Sequence, residues 1–98
     1  RKHKFLRGSG AICGVVIEAH LQRVCQSHNI SFRKKNPTIS DLNDALKNKG
    51  VYGVAQWRKI QYLADIRNKC DHKKSSDPTS DEVDDLISGT DHLVKNVF

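Results

Sequence analysis

Apolar residues recur at helical spacing in four stretches of this chain. In the first, from about Gly10 to His28, Cys13, Ile17, Leu21 and Val24 follow one another at steps of three and four residues. Ile12, Val16 and Ala19 widen that stripe, while Glu18, Gln22 and Gln26 fall on another face. This pattern predicts an amphipathic helix with a broad apolar side. A loop from Asn29 to Pro37 then carries Arg33, Lys34 and Lys35. Thr38, with Asp41 three residues on, is a capping-box start. A short helix is expected from Ser40 to about Asn48, with Leu42, Ala45 and Leu46 inward and Gly50 as its stop. Val54 to about Cys70 is expected as the third helix, on Trp57, Ile60, Leu63, Ala64 and Ile66. Thr79 and Glu82 form a second capping box. The helix it opens should run to about Val97, with Val83, Leu86, Ile87, Leu93, Val94 and Val97 inward.

No stretch alternates apolar and polar residues over strand length. Short connections between amphipathic helices imply an all-α fold, an antiparallel bundle of about four helices. Residues 1–98 read as one domain. With one of its helices so short, the core is thin, and a partner surface or a further segment would complete it. The chain has no methionine, even at position 1, and is read as a fragment of a longer polypeptide.

Composition narrows the setting. No apolar run approaches the roughly 18 residues of a membrane span. Three cysteines, Cys13, Cys25 and Cys70, form no disulfide framework and point to a reducing, cytoplasmic compartment. Up to Lys74 the chain holds 16 Lys and Arg against 5 Asp and Glu; from Ser75 onward it holds 1 against 6. A basic body followed by an acidic segment fits a polyanion partner such as RNA, and also fits a merely solvated surface.

The predicted third helix ends in Arg67-Asn68-Lys69-Cys70-Asp71-His72. With 6 Arg, 5 His and 6 Asn in 98 residues, an Arg–His pair at this spacing arises by chance roughly 0.3 times. Requiring Asn after the Arg lowers that to about 0.02. Arg23 and His28 share the spacing but have Val after the Arg, which marks them as a decoy. The full motif resembles the signature of HEPN domains. Gly10 to Leu21 looks like the long first helix of bacterial HEPN proteins, and Ile60 to His72 like their motif helix. The resemblance covers most of the chain as a helix pattern, but only the six-residue motif is specific. It implies an α-helical bundle, usually a homodimer, often with RNase activity in toxin–antitoxin, antiviral or RNA-processing systems. An antitoxin or other domains of a longer chain are partners it would allow.

The chemistry suits those roles. Attack of a ribose 2′-OH on its own phosphodiester needs a base, an acid and neutralisation of the phosphorane. Histidine titrates near neutral pH, so His72 can serve as base or acid. Arg67 offers a permanent charge in a planar fork. Asn68 can hold a phosphate oxygen or orient the histidine. Lys69, Lys73, Lys74, Arg58 and Lys59 are candidate contacts to RNA phosphates. No metal and no cofactor is called for. Five residues along a regular helix turn through about 500°, so Arg67 and His72 converge within one chain only if the helix ends near Cys70. A two-fold dimer would also bring them together, and would supply two histidines for in-line displacement.

Other readings stay open. Arg67 and Asp71 can simply pair at one helical turn, which favours a non-catalytic helical RNA-binding or dimerisation module. Cys25, His28, Cys70 and His72 can be read as zinc ligands, though without the usual spacing. Glu18 and His20 can be surface residues, supporting groups or a buried pair. Trp57 and Tyr62 can stack bases, with Trp57 better suited to the core.

Overall fold

The computed structural model describes residues 2–71 and 77–98, with side chains over 5–70 and 77–98. Four α-helices follow one another: α1 (Lys2–Ser27), α2 (Ile39–Asn48), α3 (Val54–Asp71) and α4 (Ser80–Asn96). No strand occurs among the described residues. The fold is the expected all-α bundle.

Both capping boxes form. Thr38 Oγ1 accepts from Asp41 N–H while Asp41 accepts from Thr38 N–H, and Thr79 with Glu82 does the same for α4. Each box satisfies two backbone donors that a helix start would leave open. Gly50, at φ +80°, closes α2 in the left-handed region where a Cβ is costly.

α1 departs from its expected start. It begins at Lys2 because the inward stripe continues upstream: Leu6 is buried four residues before Gly10. A glycine inside a helix can serve close packing. Gly10 does so, since a Cβ there would lie 2.0 Å from Cys70 Sγ.

α3 packs against the other three helices and runs opposite to each. Gly10 and Gly14 of α1 meet Cys70 and Arg67. Asn43 of α2 meets Trp57 and Gln61. Glu82, Asp85 and Gly89 of α4 meet Lys69, Tyr62 and Leu63. The consecutive pairs α2–α3 and α3–α4 are therefore antiparallel as expected, whereas α1 and α2 run in one sense.

The core takes Ile17, Leu21 and Val24 of α1, Leu42 and Leu46 of α2, Ile60, Leu63, Ala64 and Ile66 of α3, and Val83, Leu86 and Leu93 of α4. Several expected inward positions are not there. Ile12 is 68% exposed, Val16 40% and Ile87 47%, and Ala19 is exposed too. Ile12, Val16 and Ala19 lie with Phe5 and Val15 on the outer side of α1, away from α3 and α4. Cys13, Ala45, Trp57 and Val94 are half-buried. Ile39 joins the core, and the polar residues His20, Thr90 and Asn43 are buried with it, the last wholly enclosed. Its amide donates to Trp57 O and Gln61 Oε1 and accepts from Tyr52 O–H, which offsets the cost of enclosing it. That network fastens α2 to α3.

Candidate nucleic-acid interface

Arg67 and Asn68 sit in the last turns of α3, and both line a groove of about 190 Å³ with Thr38, Ile39, Ser40 and Ala64. Asn68 is exposed. Arg67 is half-buried, and its stem crosses α1 over Gly14: a Cβ there would lie 2.6 Å from Arg67 Cγ and 2.7 Å from Nε. The bare backbone at Gly14 thus opens the channel that the arginine follows. Thr38, Ile39 and Ser40 come to the groove because the capping box fixes the first turn of α2 and Asn43 ties that helix to α3.

The end of α3 is held by a residue that the sequence does not flag. Arg7 Nη1 donates to the carbonyls of Lys69 at 2.7 Å and Cys70 at 3.0 Å, and Nη2 contacts Asp77 Oδ1 at 2.5 Å. A guanidinium on these two carbonyls fixes the backbone of the last described turn of α3 against α1. His72, Lys73 and Lys74 lie outside the described residues, as does the side chain of Asp71.

Among the other candidates, Lys69 Nζ is 2.7 Å from Glu82 Oε2, so its charge is engaged with α4. That hydrogen bond, then the N–H of Thr79, holds the Glu82 carboxyl below its ordinary range. Arg58 and Lys59 are exposed on α3, and Lys59 borders a groove between α3 and α4 that Asp85 also lines. Tyr62 donates to Asp85 at 2.8 Å, which raises its phenol pKa. Trp57 donates to Asp44 at 2.7 Å, and Lys47 Nζ lies 4.8 Å from the centre of its ring, so that face is already in use.

The decoy pair has different surroundings. Arg23 is exposed on α1, and His28 Nε2 lies 3.1 Å from the carbonyl oxygen of Phe98. His20 and Glu18 do not form the pair weighed from the sequence. His20 is buried, and its Nε2–H donates to the Val97 carbonyl at 2.6 Å. The four-ligand zinc reading is overturned by position. Cys70 packs on Gly10, whereas Cys25 lies fifteen residues further along α1, roughly 22 Å away at the rise of a helix. Burial raises the pKa of the Cys25 thiol.

Arg7, Gly14, Ser40 and Asn43 are the residues that sequence reasoning missed. A weak signal existed for two of them: Gly14 is a glycine inside an apolar helix, and Asn43 stands on the inward side of α2 beside Leu42 and Leu46. Arg7 and Ser40 carry no such mark. No helix among the described residues is long and apolar enough to cross a membrane. No family model, curated protein or solved structure matches the chain.

Proposed function

We propose that the chain is a metal-independent endoribonuclease of the HEPN type, acting through Arg67, Asn68 and His72. The observation that carries this reading is the placement of Arg67 and Asn68 side by side in one groove at the end of α3, with His72 following in sequence. Arg7 on the Lys69 and Cys70 carbonyls supports it further, since it fixes the backbone that leads into His72.

In this reading a ribose 2′-oxygen attacks the adjacent phosphorus and gives its proton to His72. The bond from phosphorus to the 5′-oxygen breaks, and that oxygen takes a proton from His72 of the partner subunit. The products are a 2′,3′-cyclic phosphate and a 5′-hydroxyl. Arg67 balances the charge of the phosphorane, and Asn68 holds a phosphate oxygen. A homodimer is part of the proposal, and the uncovered apolar side of α1 with Phe5, Ile12, Val15 and Val16 supports it.

A non-catalytic RNA-binding or dimerisation module is the second reading. The packing of Arg67 across Gly14 favours it, because that contact gives the arginine a structural task. Incubation of the purified protein with RNA in excess EDTA separates the two. The RNase reading expects cleavage by the wild type, cyclic phosphate ends, no cut where the 2′-OH is absent, and loss on the order of a hundredfold in His72→Ala. Full, EDTA-resistant cleavage by folded His72→Ala protein removes His72 from the mechanism.

A further inference from the structure

The groove of Arg67 and Asn68 has two possible continuations, and they differ in charge. Toward α4, residues 77–85 hold Asp77, Asp81, Glu82, Asp84 and Asp85 and no basic residue. Asp85 lines the α3–α4 groove, and Lys69, the motif's own lysine, is bound to Glu82. A nucleic-acid backbone passing that way meets repulsion along its path.

Toward α2 the balance is basic: the first turn carries one carboxylate, Asp41, and it is engaged by Lys34 and the Thr38 N–H. The Arg67–Asn68 groove reaches Thr38, and the preceding residue, Pro37, belongs to a second groove of about 390 Å³ that Lys34, Lys35, Gln22, Gln26 and Phe32 also line. Among the described residues no carboxylate lines either groove. Arg33, Lys34 and Lys35 are exposed at the tip of this loop. The tip is anchored on both sides: Ile30 and Phe32 pack against the core, and Pro37 is buried. Lys34 also contacts Asp41 at 3.1 Å, which leaves Arg33 and Lys35 to carry the outward charge. Ser40, Asn68, Gln22 and Gln26 add neutral groups that hydrogen-bond phosphate or sugar oxygens without repelling them.

We propose that single-stranded RNA leaves the Arg67–Asn68 groove across the first turn of α2, past Ser40, and runs onto the Arg33-Lys34-Lys35 loop, away from α4. The RNase reading supplies only the identity of the polyanion; the direction rests on the two grooves and the charge around them.

The test is fluorescence anisotropy with a labelled, fully 2′-O-methylated single-stranded RNA 12-mer, which binds without being cut. The variants are Arg33→Gln/Lys34→Gln/Lys35→Gln, and Arg33→Gln/Lys35→Gln, which keeps the Lys34–Asp41 pair. Lys49→Gln/Lys95→Gln is the control for general charge loss, and circular dichroism verifies folding. The triple variant is expected to bind about tenfold more weakly at low salt, and to lower the slope of log K against log salt by about 2, for three contacts to a single strand. The double variant falls between it and the wild type, and the control loses less per charge removed. Binding by the folded triple variant within about twofold of the wild type, at an unchanged slope, overturns the path and leaves the RNase reading standing. A wild type that binds no RNA overturns both. Equal losses per charge in the loop variant and the control overturn the path in favour of diffuse attraction.

Discussion

Arg23 and Arg67 lie near the ends of α1 and α3, each five residues ahead of a histidine in the sequence, and their surroundings separate them. Arg23 and His28 close α1, where the arginine stands exposed and the histidine meets the backbone carbonyl of Phe98. Arg67 lies near the end of α3, half-buried, with its stem laid over Gly14 and its neighbours Asn68 and Ser40 in one groove. Spacing along a helix is the same information in both places. What differs is that a second helix, α2, arrives beside Arg67, and that a glycine on α1 leaves room for it. The comparison teaches that one spacing acquires different surroundings from whatever packs beside it, so each pair is best distinguished by changing what surrounds it.

The largest contrast comes from removing the arginines themselves. Under the proposed RNase reading, Arg67→Ala should lose transition-state stabilisation of about 3 kcal/mol in RNA cleavage, a hundredfold or more. Arg23→Ala should stay within about threefold of the wild type, since an exposed cation far from the groove contributes only general attraction. Cleavage rates at saturating RNA measure both. Equal losses would erase the distinction between the pairs and return Arg23 and His28 to candidacy.

A finer contrast lies in two glycines of α1. At Gly14 an added Cβ meets Arg67 Cγ at 2.6 Å and Nε at 2.7 Å, in the middle of the stem, so the arginine must take another route. At Gly10 it meets Cys70 Sγ at 2.0 Å and Cβ at 2.8 Å, on a short side chain in the core. Gly14→Ala should therefore cost less stability than Gly10→Ala, because alanine favours a helix by about 1 kcal/mol over glycine and offsets part of the displacement. Its cost should appear in cleavage, roughly 10- to 100-fold, as Arg67 leaves its channel. Gly10→Ala should do the reverse and destabilise by about 1–3 kcal/mol, through overpacking. Urea unfolding and cleavage rates on the two variants decide it; a Gly14→Ala protein that cleaves RNA at the wild-type rate would detach the Arg67 channel from the proposed function.

How far the sequence shows all this depends on the kind of residue. α2 and α4 were legible from their capping boxes and one-sided apolar pattern, since Thr38–Asp41 and Thr79–Glu82 act within four residues. α1 was legible only in part. It is apolar on two sides, and periodicity alone does not tell which side meets the bundle, so Ile12, Val16 and Ala19 read as inward and lie outside. Arg67 and Asn68 were found through the motif, whereas the groove that holds them was not. Arg7 reaches Lys69 and Cys70 across more than sixty residues of chain, and Ser40 faces Arg67 only because Asn43 docks α2. Such long-range contacts leave no local pattern to read.

The smallest effect concerns the acidic side of the motif helix, which the α1 pair lacks. Lys69 bonds Glu82, and that bond, with the Thr79 N–H, lowers the Glu82 pKa in the folded chain. A carboxyl whose folded pKa is depressed contributes stability above its unfolded value, about 4.3, and loses it as pH falls through the folded value. Lys69→Gln should therefore be less stable than the wild type at pH 7, by under about 1 kcal/mol because both side chains are partly open to solvent. Below the folded pKa, Glu82 is protonated in both proteins and the difference should close. Thr79 retains its share in the variant, so some acid sensitivity persists there. Urea midpoints for the two proteins at pH 7 and near pH 3 test this. A gap that stays constant across that range would mean that Lys69 stabilises the chain by packing its stem rather than by its charge, and the α4 side would then be no barrier to Lys69 serving RNA.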